Sequence, residues 1–144
     1  MTTAIARLVE YAPGKCIALA AHATVEIVKQ PAPVAVPGAA HHAMGLLAWQ
    51  GQRIAMIDLA AWAKGARARE SARYALVLAC GPGAFAALAL DALPVNVTVR
   101  DAQQCDLPER DAPLRHAALS CVDIDGEAVP IVDVARLLGA PTST

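Results

Sequence analysis

Seven positions of this chain recur at one fixed spacing. Gly51, Ile54, Met56, Ile57, Asp58, Leu59 and Trp62 return as Gly126, Val129, Ile131, Val132, Asp133, Val134 and Leu137, each offset by 75 residues. Self-similarity at a fixed period means that one supersecondary unit is used twice. The unit reads apolar strand, glycine turn, apolar strand, aspartate, short helix. A looser echo lies upstream, where Ile17 to Val28 resembles Ala86 to Val97. Short strands at even spacing between turn signals favour barrels or sandwiches. The expected fold is therefore all-β with short helices, two small barrels packed together.

Length agrees with this. A chain of 144 residues holds one compact domain or two very small ones sharing a core. Hydrophobic residues make up 56%, too many for a disordered chain. Only 3% are aromatic and roughly a quarter are Ala, so burial energy must come from Val, Ile and Leu. The net charge of -1 gives no global attraction to nucleic acid or to an anionic membrane. Met1 to Glu10 lacks the basic start and apolar run of a signal peptide, so a cytoplasmic protein is expected. Cys16, Cys80, Cys105 and Cys121 form no Cys-x-x-Cys pair, which argues against zinc and for reduced, mostly buried thiols.

Along the chain, Cys16 to Leu19 and Thr24 to Val28 read as a strand pair. Pro31, Pro33 and Pro37 then exclude a helix or a central strand. Gly45 to Leu59 reads as strand, glycine turn, strand, with Asp58 as the cap of a short helix. Lys64 to Arg73 is a basic stretch, expected to be a solvated linker able to receive an acidic partner. Tyr74 to Leu90 carries no charge, but Gly81-Pro82-Gly83 divides it. A membrane helix needs about 20 unbroken apolar residues, so a β-hairpin is expected instead. Asn96 to Val99 extends the β pattern, 100–115 is a charged loop, and a last strand pair leads to a helix starting at Asp133.

The ordered set of segments resembles the CheW-like domain, the coupling scaffold of bacterial chemosensory arrays. The segments are Val25-Glu26-Ile27, Gly45 to Gly51, Ile54 to Leu59, Ala86 to Leu93 and Asp125 to Val134. The likeness predicts one domain over 8–139, with 1–7 and 140–144 as flexible termini. It implies two intertwined SH3-like five-stranded barrels, an apolar groove between them, and no enzymatic activity or cofactor. Two partners are implied: the regulatory domain of a CheA-type histidine kinase, and the cytoplasmic tip of a methyl-accepting chemoreceptor. The candidate partner-binding residues are Val25, Glu26, Ile27, Trp49, Gln50 and Gly51. This chain departs from the family at its first glycine turn and the following strand. Ala48 stands for the family Asn, Trp49 for a smaller Leu, Gln50 for an Arg and Ala55 for a Pro. Other readings are a divergent scaffold of a pilus-linked array, or a small effector-binding module on the same barrels.

Individual residues also have plainer roles. Asp58 and Asp133 form a formal carboxylate pair, but each follows a strand and precedes a helix, the position of a cap. Gly45, Gly51 and Gly126 are read as turn residues. His41-His42 lies in a Pro/Ala/Gly loop without a further ligand at metal spacing. Trp62 takes a core position in the repeat, opposite Leu137. Trp49 is either core or an exposed interface anchor. Glu26 reads as an outward position of an alternating strand.

Overall fold

The computed structural model describes residues 3–138. The first half of the chain forms β1 (Thr3–Ala12), β2 (Lys15–Ala20), β3 (Thr24–Lys29), β4 (Ala43–Trp49), β5 (Gln52–Ile57) and α1 (Leu59–Lys64). The second forms β6 (Tyr74–Gly81), β7 (Ala84–Leu90), β8 (Val95–Arg100), β9 (Ala118–Ile124), β10 (Glu127–Val132) and α2 (Val134–Leu138). Each half is thus five strands and a short helix. The fold is mainly β, as the repeat predicts.

The halves do not form one sheet each. One sheet has the order β8-β1-β2-β10-β9 and the other β3-β6-β7-β5-β4. Each curled sheet takes its first hairpin from one half and its other three strands from the other half. The exchange is closed by two parallel pairings, β2 with β10 and β7 with β5. These pairings are equivalent under the repeat: Leu19 faces Val132 as Leu88 faces Ile57. Neither half can complete a barrel without the other.

The exchange explains the alanine-rich hairpin. Leu76, Leu78, Leu88 and Leu90 join Val9, Ile17 and Leu19 in a core between the sheets. Their alternating neighbours Ala75, Val77, Ala87 and Ala89 point into the second barrel, beside Leu47, Trp49 and Met56. Strands buried on both faces lose the polar half of the β alternation. Small residues line the tight barrel and large ones fill the inter-sheet space. That is why Tyr74 to Leu90 reads as one uncharged run.

Three expectations need correction. Residues 3–7, expected to be flexible, lie in β1, which sits between β2 and β8. Thr3 pairs with Arg100 and Arg7 with Asn96. The pairing with β8 is long-range, so nothing in residues 3–7 alone marks them as part of an interior strand. Residues 1–2 and 139–144, with the rest of the expected termini, lie outside the described residues. Gly45 is not a turn residue. It sits inside β4 at a register shift, with φ 136°, where a Cβ would collide with the Val34 carbonyl. Val34 exchanges two 2.9 Å backbone hydrogen bonds with Leu46, so that backbone cannot withdraw. The basic stretch is not simply solvated either, because Arg69 turns inward, as described below.

The repeated turns have the same geometry. Gln50 and Gly51 have φ 45° and 76°; Asp125 and Gly126 have φ 52° and 85°. Each joins its strands through two residues, Trp49 facing Gln52 and Ile124 facing Glu127. Positive φ at both central positions marks the primed turn that matches strand twist, and Gly takes the second place in each.

Candidate docking site

The sequence-derived candidates come together where the second barrel closes. β3 and β4 are opposite edges of one sheet, yet Glu26 of β3 meets the β4–β5 turn. Its Oε1 accepts from Trp49 Nε1 at 3.2 Å and from Gln50 Nε2 at 3.4 Å. One carboxylate therefore bridges the seam between the sheet edges. A register shift between Thr24 and Glu26 inserts Val25 as an extra residue in β3. Such a bulge turns successive side chains toward the same side. Val25 and Glu26 are both exposed, while Ile27 packs against the inter-sheet core.

Trp49 does not offer an exposed ring. It is 7% exposed and packs against Phe85 with centroids 5.0 Å apart. The anchor reading is replaced by a buried ring whose N–H reaches the surface and orients Glu26. Gln50 and Gly51 remain exposed at the turn tip. The free surface at this seam is Val25, Glu26, Gln50 and Gly51, a small patch with one carboxylate.

The two aspartates of the repeat are caps. Asp58 Oδ1 accepts from Ala61 N–H at 3.2 Å, and Asp133 Oδ1 from Ala135 N–H at 3.1 Å. Here the repeat breaks its symmetry. The Asp58 carboxylate also binds Arg69, with Nε and the backbone N–H donating to Oδ2 at 3.2 and 3.0 Å. Arg69 further donates to Asp91 Oδ2 and to the Tyr11 carbonyl, both at 3.0 Å. One guanidinium thus ties the ends of β5, β7 and β1 together. Burial pushes the Asp58 carboxyl up, but the Arg69 and Ala61 hydrogen bonds outweigh it and hold the group below its ordinary value. Arg69 was missed by the sequence reading because its partners lie 11, 22 and 58 residues away.

His41 and His42 contribute backbone carbonyls, accepting from Ala68 and Asp58 N–H. Trp62 is half-buried, in tilted contact with His116 at 5.5 Å between ring centroids and lining a pocket with Leu137. Among the described residues, no group of three or more His, Cys, Asp or Glu side chains is placed to hold a metal ion. No described helix is long and apolar enough to cross a membrane.

A larger concavity lies where the two sheets meet. This groove of about 590 Å³ is lined by residues including Ala4, Ile5, Ala20, His22, Cys80 and Leu119. Ile5 and Leu119 are 63% and 61% exposed, so the lips carry apolar side chains in water. Six of its lining residues are alanines, so much of the wall is methyl groups. Its shape suits a protein segment laid along it better than a small molecule enclosed by it.

Two interlocked barrels with an apolar groove at their junction define an all-β fold of the SH3-like class. Comparison with known proteins gives the family: the CheW-like domain model matches residues 8–142, and the chain belongs to that family. The fold is also similar to the crystal structure of the scaffolding protein TtCheW from Thermoanaerobacter tengcongensis. The TM-score is 0.72 at 16% identity, over 91% of this chain and 89% of that one. No curated protein sequence matches.

Proposed function

We propose that this protein is a non-catalytic adaptor that couples the cytoplasmic tip of a chemoreceptor to a CheA-type histidine kinase. The observation that carries the reading is the exposed apolar groove at the barrel junction, in a chain of the CheW-like family. A receptor tip is a helical hairpin, and an apolar helix face laid into such a groove gains affinity from burial and register from rim polar groups. The kinase regulatory domain, itself CheW-like, meets this chain barrel to barrel. The Val25, Glu26, Gln50 and Gly51 patch contributes polar register at the seam. Both partners place the protein at receptor arrays on the cytoplasmic side.

Titration calorimetry with a regulatory domain and a receptor-tip hairpin from the same organism tests this. Micromolar binding of both is expected. Loss of hairpin binding in Ile5→Asp and Leu119→Asp, with kinase binding kept, assigns the groove to the receptor. Absence of binding to either partner at high micromolar concentration sinks the proposal.

A further inference from the structure

Cys105 and Cys121 lie 16 positions apart in sequence, yet their sulfurs are 3.5 Å apart. The strand pairing puts them there. Gln104 and Val122 form an antiparallel bridge, so Cys105 stands opposite Cys121. The Cys105 N–H donates to the Cys121 carbonyl at 2.8 Å. Directly opposed residues in such a pair have Cα atoms about 5.5 Å apart. Disulfides span about 4.4–6.8 Å, so the backbone already fits the bond. Both thiols are free. Cys121 is buried and Cys105 only half-buried, so Cys105 is the more accessible of the pair.

We propose that Cys105 and Cys121 form an oxidation site, converted by a peroxide into an intramolecular disulfide. In the first step the Cys105 thiolate attacks a peroxide oxygen. The O–O bond breaks, a sulfenic acid forms, and hydroxide leaves to take up a proton as water. In the second step Cys121 Sγ attacks the Cys105 sulfur. The S–O bond breaks, and the hydroxide departs with the Cys121 proton as a second water. Two thiols lose two electrons and the peroxide gains them. Burial, and then the contact with Cys105, pushes the Cys121 thiol up to about 12, so it stays protonated at neutral pH. Cys105 is also the more exposed of the two, and the first attack falls to it.

The bond has a structural consequence. β9 is an edge strand, and the 104–105 segment covers part of it. A cross-link makes that cover permanent and closes a loop through the 3-10 helix Glu109–Leu114, whose Leu114 is in the inter-sheet core. Loop closure of this size raises stability chiefly by restricting the unfolded chain.

The test uses the full chain carrying Cys16→Ser and Cys80→Ser, so that only the pair remains, beside the unaltered protein as a folding control. One equivalent of hydrogen peroxide is added at neutral pH. The intact mass is expected to fall by two hydrogens and both thiols to disappear from thiol titration. Trypsin is expected to release peptides 101–110 and 116–136 as one cross-linked species. Thiol reductant separates them, and Tm is about 5 °C or more higher in the oxidised form. Cys105→Ser abolishes the cross-link. Persistent free thiols, added oxygens on Cys105 without the 101–110/116–136 species, or a cross-link to another cysteine in the unaltered chain overturns the proposal.

Discussion

The Glu26 carboxylate accepts a 3.2 Å hydrogen bond from the indole N–H of Trp49 and thereby joins opposite edges of one five-stranded sheet. No continuous backbone ladder is available to link the side chains at this point, since Glu26 pairs with Val77 and Trp49 with Gln52. Gln50 adds a second, longer bond to the same oxygen. The proposed docking patch at the turn and closure of the barrel therefore share one residue.

Glu26→Ala is expected to cost only about 1 kcal/mol, because the site is partly open to water. Gln50→Arg is expected to place a guanidinium beside Glu26 and to stabilise by about 0.5 kcal/mol at low salt, less at high salt. Thermal unfolding checks both. If the seam is a docking surface, calorimetry against a kinase regulatory domain or a receptor hairpin will show a larger change than the stability does. Unchanged affinity in both variants removes the seam from the interface.

Breaking the Arg69–Asp58 pair is expected to be more severe. Arg69→Met leaves a buried carboxylate with the backbone N–H groups of Ala61 and of position 69 but no cation, at a cost of about 3 kcal/mol. Arg69→Lys keeps the charge but loses the forked reach to Asp91 and Tyr11, and falls between. The pH dependence follows from the depressed Asp58 group. Its contribution is full above the unfolded carboxylate pKa of about 3.9 and disappears as pH falls through the lower folded value. Denaturant unfolding should therefore show a gap between wild type and Arg69→Met that is widest near neutral pH and narrows on acidification, because Asp58 of the variant keeps the burial that raises it and takes up its proton first. A gap that widens in acid contradicts the assignment.

Gly45→Ala is expected to destabilise by at least about 2 kcal/mol, since the residue holds φ 136° and faces the Val34 carbonyl. Gly51→Ala shares a positive φ but meets no atom within 4 Å, and should cost less. Equal losses by urea unfolding would mean that the Val34 contact is unimportant.

Removing residues 1–7 is expected to release β8, because Asn96 to Arg100 pair with Arg7 to Thr3. Hydrogen exchange should show the amides of 96–100 losing protection, with a lowered Tm. Retained protection would show that β8 needs no partner there.

The two faces of β7 should respond oppositely to size. Ala87→Leu overfills the second barrel and is expected to cost about 1–3 kcal/mol. Leu88→Ala empties part of the inter-sheet core and is expected to cost about 2–5 kcal/mol. Calorimetric unfolding of the two variants checks this division of the cores.

Local features of this protein were legible in its residues. Asp125-Gly126 and Gln50-Gly51 mark tight turns because Gly relieves the cost of positive φ. Asp58 and Asp133 mark helix starts because a carboxylate caps free N–H groups. The 75-residue offset announces two equivalent units, and the ordered segments place them in the CheW-like family. These signals are short-range or periodic, so they survive in one dimension. The rest was decided by packing. β1 looked like a loose terminus because β8, which flanks its far side, is distant in sequence, and Arg69 looked solvated because its three partners come from three different segments. Trp49 was ambiguous until Phe85 and Glu26 were seen on either side of it. The Cys105–Cys121 approach depends on a bridge between a loop and an edge strand. The repeat determines that there are two units; only the tertiary structure decides how they exchange strands, since parallel closure of β2 on β10 and β7 on β5 is a long-range pairing that local sequence does not encode.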